Sequence, residues 1–559
     1  MNQAYVSLRD PLPLRHPPNA QSFPTDARRV KAWVDALPRA NQAGTQRQLA
    51  DALASLRETR LDGLQRLTVL DALRPSLIDA IAQLDAQLQG SSFPLPPAKE
   101  KIAEQILAFQ RELALGYRIA VVEACAPAGS VPFMRGGQVA QAIARAIYHA
   151  ARHLAASYFL YRTPEDGVWA ALHALFRFAQ GAGLADKAVD EPVERAALSP
   201  QQLYSHALLL ALSNPYRFTQ REQADLWPVT RDLAAMLSLE AVRHGDGSFA
   251  VPVIEDRGPG YLPEERVSDG QALLWIDLAS LRTALDAALD GVGEGNAHVR
   301  LARNRTLVAP ADLLRRLRQS WGQAADRGHQ RLGAVHALDT VIGLSGLHYY
   351  LAGSLDFDTF MREVRGVGAT SDERAAWAHA GVDAARIPTA RGRVLDQSLG
   401  GYRLAWDRAE HVRARVGELV GLTSTLSGDT LIEREARIWM VGVIRWLRYD
   451  PQGGVDAGIE LLARRAWAVG LRSLDANGVP RAPLRGIQID RLRAQDAGAM
   501  HFLAPSVLDA QVDRIEVARA ADPEQFEETQ AQISECDDVR VLENAGDYLL
   551  LAAQPVAAA

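Results

Sequence analysis

Two short strings in this 559-residue sequence hold side chains suited to gripping a small anion. The first, Arg327-Gly328-His329-Gln330-Arg331, sets two arginines four residues apart. The second, Asp396-Gln397-Ser398-Leu399-Gly400-Gly401, ends one strand-like segment and begins another. A guanidinium is a planar fork that meets two phosphate oxygens, or the O6 and N7 of guanine, at once, and lysine does not reproduce that geometry. Alone, each string has a plainer reading. Arginines at this spacing are common on solvated helix faces, and Asp, Ser and Gly are the residues that turns favour.

The charge balance explains why a local cluster is needed. With 61 Lys and Arg against 67 Asp and Glu, the net charge is -6, which excludes the broad basic surface that binds nucleic acid polymers. The length and 48% hydrophobic content suit roughly two to four globular domains. Cys125 and Cys536 are far apart and in no C-x-x-C pattern, so neither a disulfide framework nor a thiolate zinc site is expected, and a reducing cytoplasm fits. Apolar runs such as 207–212 are far short of a bilayer span, and the first residues lack a cationic region followed by an apolar one. Neither membrane insertion nor secretion is predicted.

These strings must be positioned by the elements around them. Residues 1–25, rich in proline, read as a flexible arm. Residues 26–245 carry helical periodicity, as in the stripe Val139, Ala142, Ile143, Ala146, Ile147, Ala150 and Leu154, and imply an α-helical array. Ser199 to Gln202 and Thr219 to Glu222 fit capping boxes. The run Thr163-Pro164-Glu165-Asp166 reads as another helix start. Residues 246–325 look like a connecting region that ends in a helix opened by Pro310-Ala311-Asp312. Strand patterns follow at 334–349, 394–406, 419–423, 438–449 and 455–462, the last two joined by Asp450-Pro451-Gln452-Gly453-Gly454. Further strands at 484–490, 500–503, 514–518 and 539–551 place a small β domain at 476–559.

Taken in order, the two strings match the R-x-x-x-R and [D/N]-x-S-x-x-G motifs of PilZ domains. Val416 to Gly421, Gly442 to Trp446 and Gly458 to Glu460 also resemble that family's later strands. The resemblance covers about a quarter of the chain. It implies an antiparallel six-stranded barrel over 326–475 and cyclic di-GMP as ligand, with Arg327 and Arg331 clamping its phosphates and guanines. It further implies that Asp396 and Ser398 accept from and position a second guanine or phosphate, and that Gly401 permits a tight turn and close backbone approach. The family's second motif usually lies much nearer the first, so about 355–385 reads as a surface insertion, which loop entropy tolerates because its cost grows only logarithmically.

The expected fold is therefore α+β and multidomain: an all-α array, a PilZ-like antiparallel β-barrel and a small C-terminal β domain. The expected function is a cyclic di-GMP effector that alters a protein–protein contact through the helical region, in control of motility, adhesion or exopolysaccharide. Neither catalysis, metal nor cofactor is expected. The alternative is a helical scaffold whose barrel is degenerate and does not bind. Arg386, Arg391 and Arg393 read as strand-edge charges. His149 and His153 have the spacing of a metal half-site but lack the glutamate of H-E-x-x-H and a third ligand, so they read as structural. Gly291-Val292-Gly293-Glu294-Gly295 lacks the P-loop lysine and reads as linker.

Overall fold

A computed structural model describes the chain except residues 1–2, 21, 92, 244–248, 264–266, 268–269, 294, 323–331, 335, 366–386, 408–411, 426–437, 451–452, 476, 493–497, 509–511, 521–531 and 557–559. It divides into two compact units: Met1–Ser91 with Leu95–Asp326, and Ser92–Pro94 with Arg327–Ala559.

The first unit opens with helices α1 (Gln3–Arg9), α2 (Ala27–Asp35), α3 (Gln42–Glu58), α4 (Gly63–Leu88), α5 (Pro97–Ala124), α6 (Gly136–Phe159) and α7 (Val168–Gly181). A short hairpin, β1 (Val189–Glu191) and β2 (Ala196–Leu198), precedes α8 (Pro200–Leu212) and α9 (Gln220–Leu233). The expected arm starts instead with a packed helix, because Tyr5 and Leu8 of α1 are buried and the Tyr5 hydroxyl donates to the Val122 carbonyl at 3.0 Å. Both capping boxes form as the residue types dictate. The start read at Thr163 does not. Helix α7 is preceded by Gly167, in the left-handed region at φ 87°, and its Ala170 N–H donates at 2.9 Å to Asp256, a cap from a distant segment.

The hairpin drives Glu191 into the helices. Glu191 accepts from Arg74 at 2.8 Å and also from Arg145, with all three side chains buried. His149, which accepts from Arg74 Nε at 2.8 Å and meets Gln110, belongs to this network. Burial and then the charges of Arg74, Arg145 and Arg152 hold its pKa well below the ordinary value, so it stays neutral.

The stretch read as a connecting region is folded. It contains β3 (Ser238–Glu240), β4 (Phe249–Pro252), β5 (Gly260–Tyr261) and β6 (Leu273–Asp277), which form a sheet in the order β3-β6-β4-β5. Helix α10 (Ala279–Leu289), the hairpin β7 (Asn296–Arg300) and β8 (Thr306–Pro310), and α11 (Ala311–Ser320) follow. They bury Leu285, Val299, Leu314, Leu317 and Trp321.

The second unit contains β9 (Leu332–Gly333), β10 (Ala337–Ile342), α12 (Leu344–Leu351), α13 (Phe357–Arg365), β11 (Ala390–Ser398), β12 (Gly401–Trp406), β13 (Leu419–Ser424), β14 (Met440–Tyr449) and β15 (Val455–Ser473). It ends with β16 (Leu484–Arg491), β17 (Met500–Pro505), β18 (Ile515–Arg519), β19 (Gln532–Asn544) and β20 (Tyr548–Pro555). Strands β12-β11-β10-β13-β14-β15 run in order, and β15 returns to pair with β12, closing a six-stranded antiparallel barrel. Closure removes the exposed edges on which strands aggregate.

The small C-terminal domain is a second closed ring. Strands β15-β16-β17-β20-β19-β18 run in order, and β18 pairs back onto β15. The 19-residue β15 is thus a stave of both barrels. Its first half pairs with β12 and β14, its second with β16 and β18. The segment read as one strand at 334–349 turns at Gly343, φ 87°, into α12. Its Leu347 is buried with Val341, Leu419, Val441 and Val443 of the first barrel and Ile487, Leu503 and Leu550 of the second. The insertion carries α13, whose Phe360, Met361 and Val364 pack on Ala468 and Ala518 of the second barrel.

Candidate functional site

The second motif forms the hairpin between β11 and β12, in which Ser398 pairs with Gly401. The ladder slips between Val394 and Asp396, so Leu395 is an extra residue. That bulge decides the face. Val394 opposes Leu404, both buried in the first barrel, whereas Asp396 opposes Arg403, the next residue on β12 and therefore on the other side. Without the extra residue, Asp396 and Ser398 would follow Val394 inward. Both are half-buried, and Leu399 at the tip is 68% exposed.

Gly401 opposes Glu460 of β15. A β-carbon there would stand 2.0 Å from the Ile459 carbonyl oxygen, so only glycine allows the hairpin to reach β15. The Ser398 hydroxyl lies 3.5 Å from the Gly401 carbonyl, a long contact.

The first motif, Arg327 and Arg331, lies outside the described residues, as do Arg386 and the segment 366–386. Immediately after Arg331, Leu332 registers against Gln397 and Gly333 against Asp396. The Ala334 N–H donates to the Leu395 carbonyl at 3.4 Å. The chain just after Arg331 therefore runs beside the Asp-x-Ser segment. Arg391 and Arg393 are exposed on β11, and Arg393 pairs with Asp407 at 3.0 Å.

Two residues that sequence reasoning did not single out share this outer face. Register carries one row across four strands: Asp396, Arg403, Gly458 and Trp446. A β-carbon on Gly458 would lie 1.9 Å from Trp446 Nε1, so the glycine is the floor on which the indole lies. Arg403 donates to Asp456 at 2.8 Å, and Arg448 reaches the same carboxylate at 3.3 Å. The signal was a glycine inside a strand, which marks close approach by something large, but naming the partner needed the register.

Behind this row, Arg445 donates to Glu460 at 2.7 Å and to Glu543 of β19 at 2.8 Å. Burial disfavours its charge, but the Glu543 hydrogen bond and the two carboxylates outweigh that and raise its pKa above the ordinary value. Glu460, opposite Gly401, is thereby tied to the second barrel. Both ring nitrogens of His149 are taken, Nε2 by Arg74 and Nδ1 by Gln110.

A closed six-stranded antiparallel barrel with the D-x-S-x-x-G hairpin on its outer face defines a protein of the PilZ class. Residues 28–244 match the family described as "Cyclic-di-GMP receptor FimW, N-terminal domain", and 248–385 with 367–467 match "Cyclic-di-GMP receptor FimW, middle PilZ domain". The chain belongs to this PilZ family, in the form that joins a helical N-terminal domain to the barrel. It is 29% identical over 518 residues, 84% of this chain and 82% of the relative, to the "Cyclic-di-GMP receptor FimW" of Pseudomonas aeruginosa. No solved structure matches.

Proposed function

We propose that the chain is a cyclic di-GMP effector: Arg327 and Arg331 clamp the ligand, and Asp396, Ser398 and Gly401 seat it on the outer face of the first barrel. The observation that carries this reading is the register of Leu332 and Gly333 against Gln397 and Asp396. It brings the backbone that follows Arg331 beside the motif hairpin despite the insertion between them in sequence. The relative's name and the family descriptions support the ligand's identity.

Ligand capture would reorder the arginine segment and change a protein–protein contact made through the helical unit. A ligand shifts such an equilibrium only by its differential affinity for the two states. The reading has no catalytic step and places the protein in the cytoplasm. Among the described residues, no helix is long and apolar enough to cross a membrane.

Calorimetric titration with cyclic di-GMP tests the proposal. Saturable heat with the wild type that disappears in the Arg327→Ala/Arg331→Ala double variant is expected. Absence of heat with the wild type at high ligand concentration would overturn it in favour of a scaffold with a degenerate barrel.

A further inference from the structure

The second barrel has a mouth of its own, and its chemistry resembles neither a dry core nor a solvated rim. Alternation along β15 puts Val469 and Leu471 inside this barrel, in a core with Phe502, Val517 and Cys536. Trp467 has the same parity as Val469, two residues nearer the barrel's end, and is only half-buried. On β18, Arg519 opposes Val469, and on β19, Gln532 opposes Arg519. On β16, Gln488 opposes Trp467 and also Phe502 of β17. Along β19 the inward face passes from buried Cys536 to exposed Gln532, so the row of inward side chains reaches the surface at this end.

Two guanidinium groups converge on the indole there. The Arg519 guanidinium carbon lies 4.9 Å from the Trp467 ring centroid and that of Arg465 lies 5.4 Å from it. Arg465 comes from the bulge between Ala463 and Ala466 that interrupts β15 where the barrels meet, and it is exposed. A barrel mouth is a common place for a small-ligand site. A half-exposed indole is a stacking surface for a planar base, guanidinium forks take phosphate oxygens or a guanine edge, and side-chain amides both donate to and accept from a base edge.

We propose that this mouth, formed by Trp467, Arg519, Arg465, Gln488 and Gln532, is a second ligand site that binds a purine nucleotide. The base stacks at Trp467 and the phosphate is held by Arg519 and Arg465. The site is independent of the motif hairpin on the first barrel.

The test uses the full chain carrying Arg327→Ala/Arg331→Ala, titrated calorimetrically with GMP, AMP and inorganic phosphate. Saturable binding of a purine monophosphate, at least tenfold tighter than phosphate, is expected. Arg465→Ala, at an exposed position, should weaken it several-fold, and Trp467→Leu and Arg519→Lys by tenfold or more. Thermal melts separate misfolding from loss of the site, and Arg465→Ala remains decisive if the other two fail to fold. No nucleotide binding, binding no tighter than phosphate, or affinity unchanged by Arg465→Ala would overturn the proposal.

Discussion

Leu332 lies opposite Gln397, the residue between Asp396 and Ser398, so the backbone that follows Arg331 is already docked along the motif hairpin. One contact there is separable from every proposed ligand-binding side chain. The Ala334 N–H donates to Leu395 at the bulge, and proline at that position removes the donor. Ala334→Pro should therefore leave the barrel folded by circular dichroism yet weaken cyclic di-GMP binding about fivefold, in line with roughly 1 kcal/mol for a lost hydrogen bond. Unchanged affinity would mean that the docking does not matter.

The indole of Trp446 lies on Gly458 in the same row as Asp396 and Arg403. An aromatic beside the proposed guanine-binding face offers a stacking plane, and base–aromatic stacking contributes about 1–3 kcal/mol. Trp446→Leu should raise the dissociation constant by roughly 5- to 150-fold, with the melting temperature as control.

Glu418 precedes β13 and lies near the turn between β19 and β20, where Asp547 is located. Burial, opposed by Arg415 and reinforced by Asp547, pushes its pKa up to about 7. Here the folded state binds a proton that the unfolded state releases, so stability falls as pH rises from about 4.5 to about 7 and is flat above. Glu418→Gln should remove that slope. It should stabilise the second unit by about 1–3 kcal/mol at about pH 8 and change little at about pH 4, read from urea melts.

Glu191 answers two buried arginines at once. Removing it takes the carboxylate partner from Arg74 and leaves Arg145 with Asp71, at 3.7 Å, so Glu191→Ala should lower the unfolding free energy of the helical unit by about 3–5 kcal/mol. The exposed partner of Arg318 is a contrast: Asp286→Asn should change it by less than about 1 kcal/mol. Denaturation followed by far-ultraviolet circular dichroism distinguishes them.

What could be read from sequence was local. Ser199 and Thr219 make their capping boxes because the reciprocal partners stand three residues away, and the D-x-S-x-x-G string makes its hairpin because Ser398 and Gly401 are neighbours across a tight turn. What escaped depends on distant parts of the chain. Strand β15 read as ending at 462 because Arg464 and Arg465 break its apolar pattern, and that break is the bulge between two barrels. Leu344 to Leu351, with Tyr349 and Tyr350, has strand-like composition, yet it is a helix because Leu347 fills the seam between the barrels. Trp446 could be matched to Gly458 only once register was known.

Hydrogen–deuterium exchange with and without saturating cyclic di-GMP tests most directly whether the two motifs form one site. Peptides covering 327–334 and 396–403 should gain protection together, at the same ligand concentration, and neither should in the Arg327→Ala/Arg331→Ala variant. Protection of one segment without the other, with ligand bound, would contradict the account.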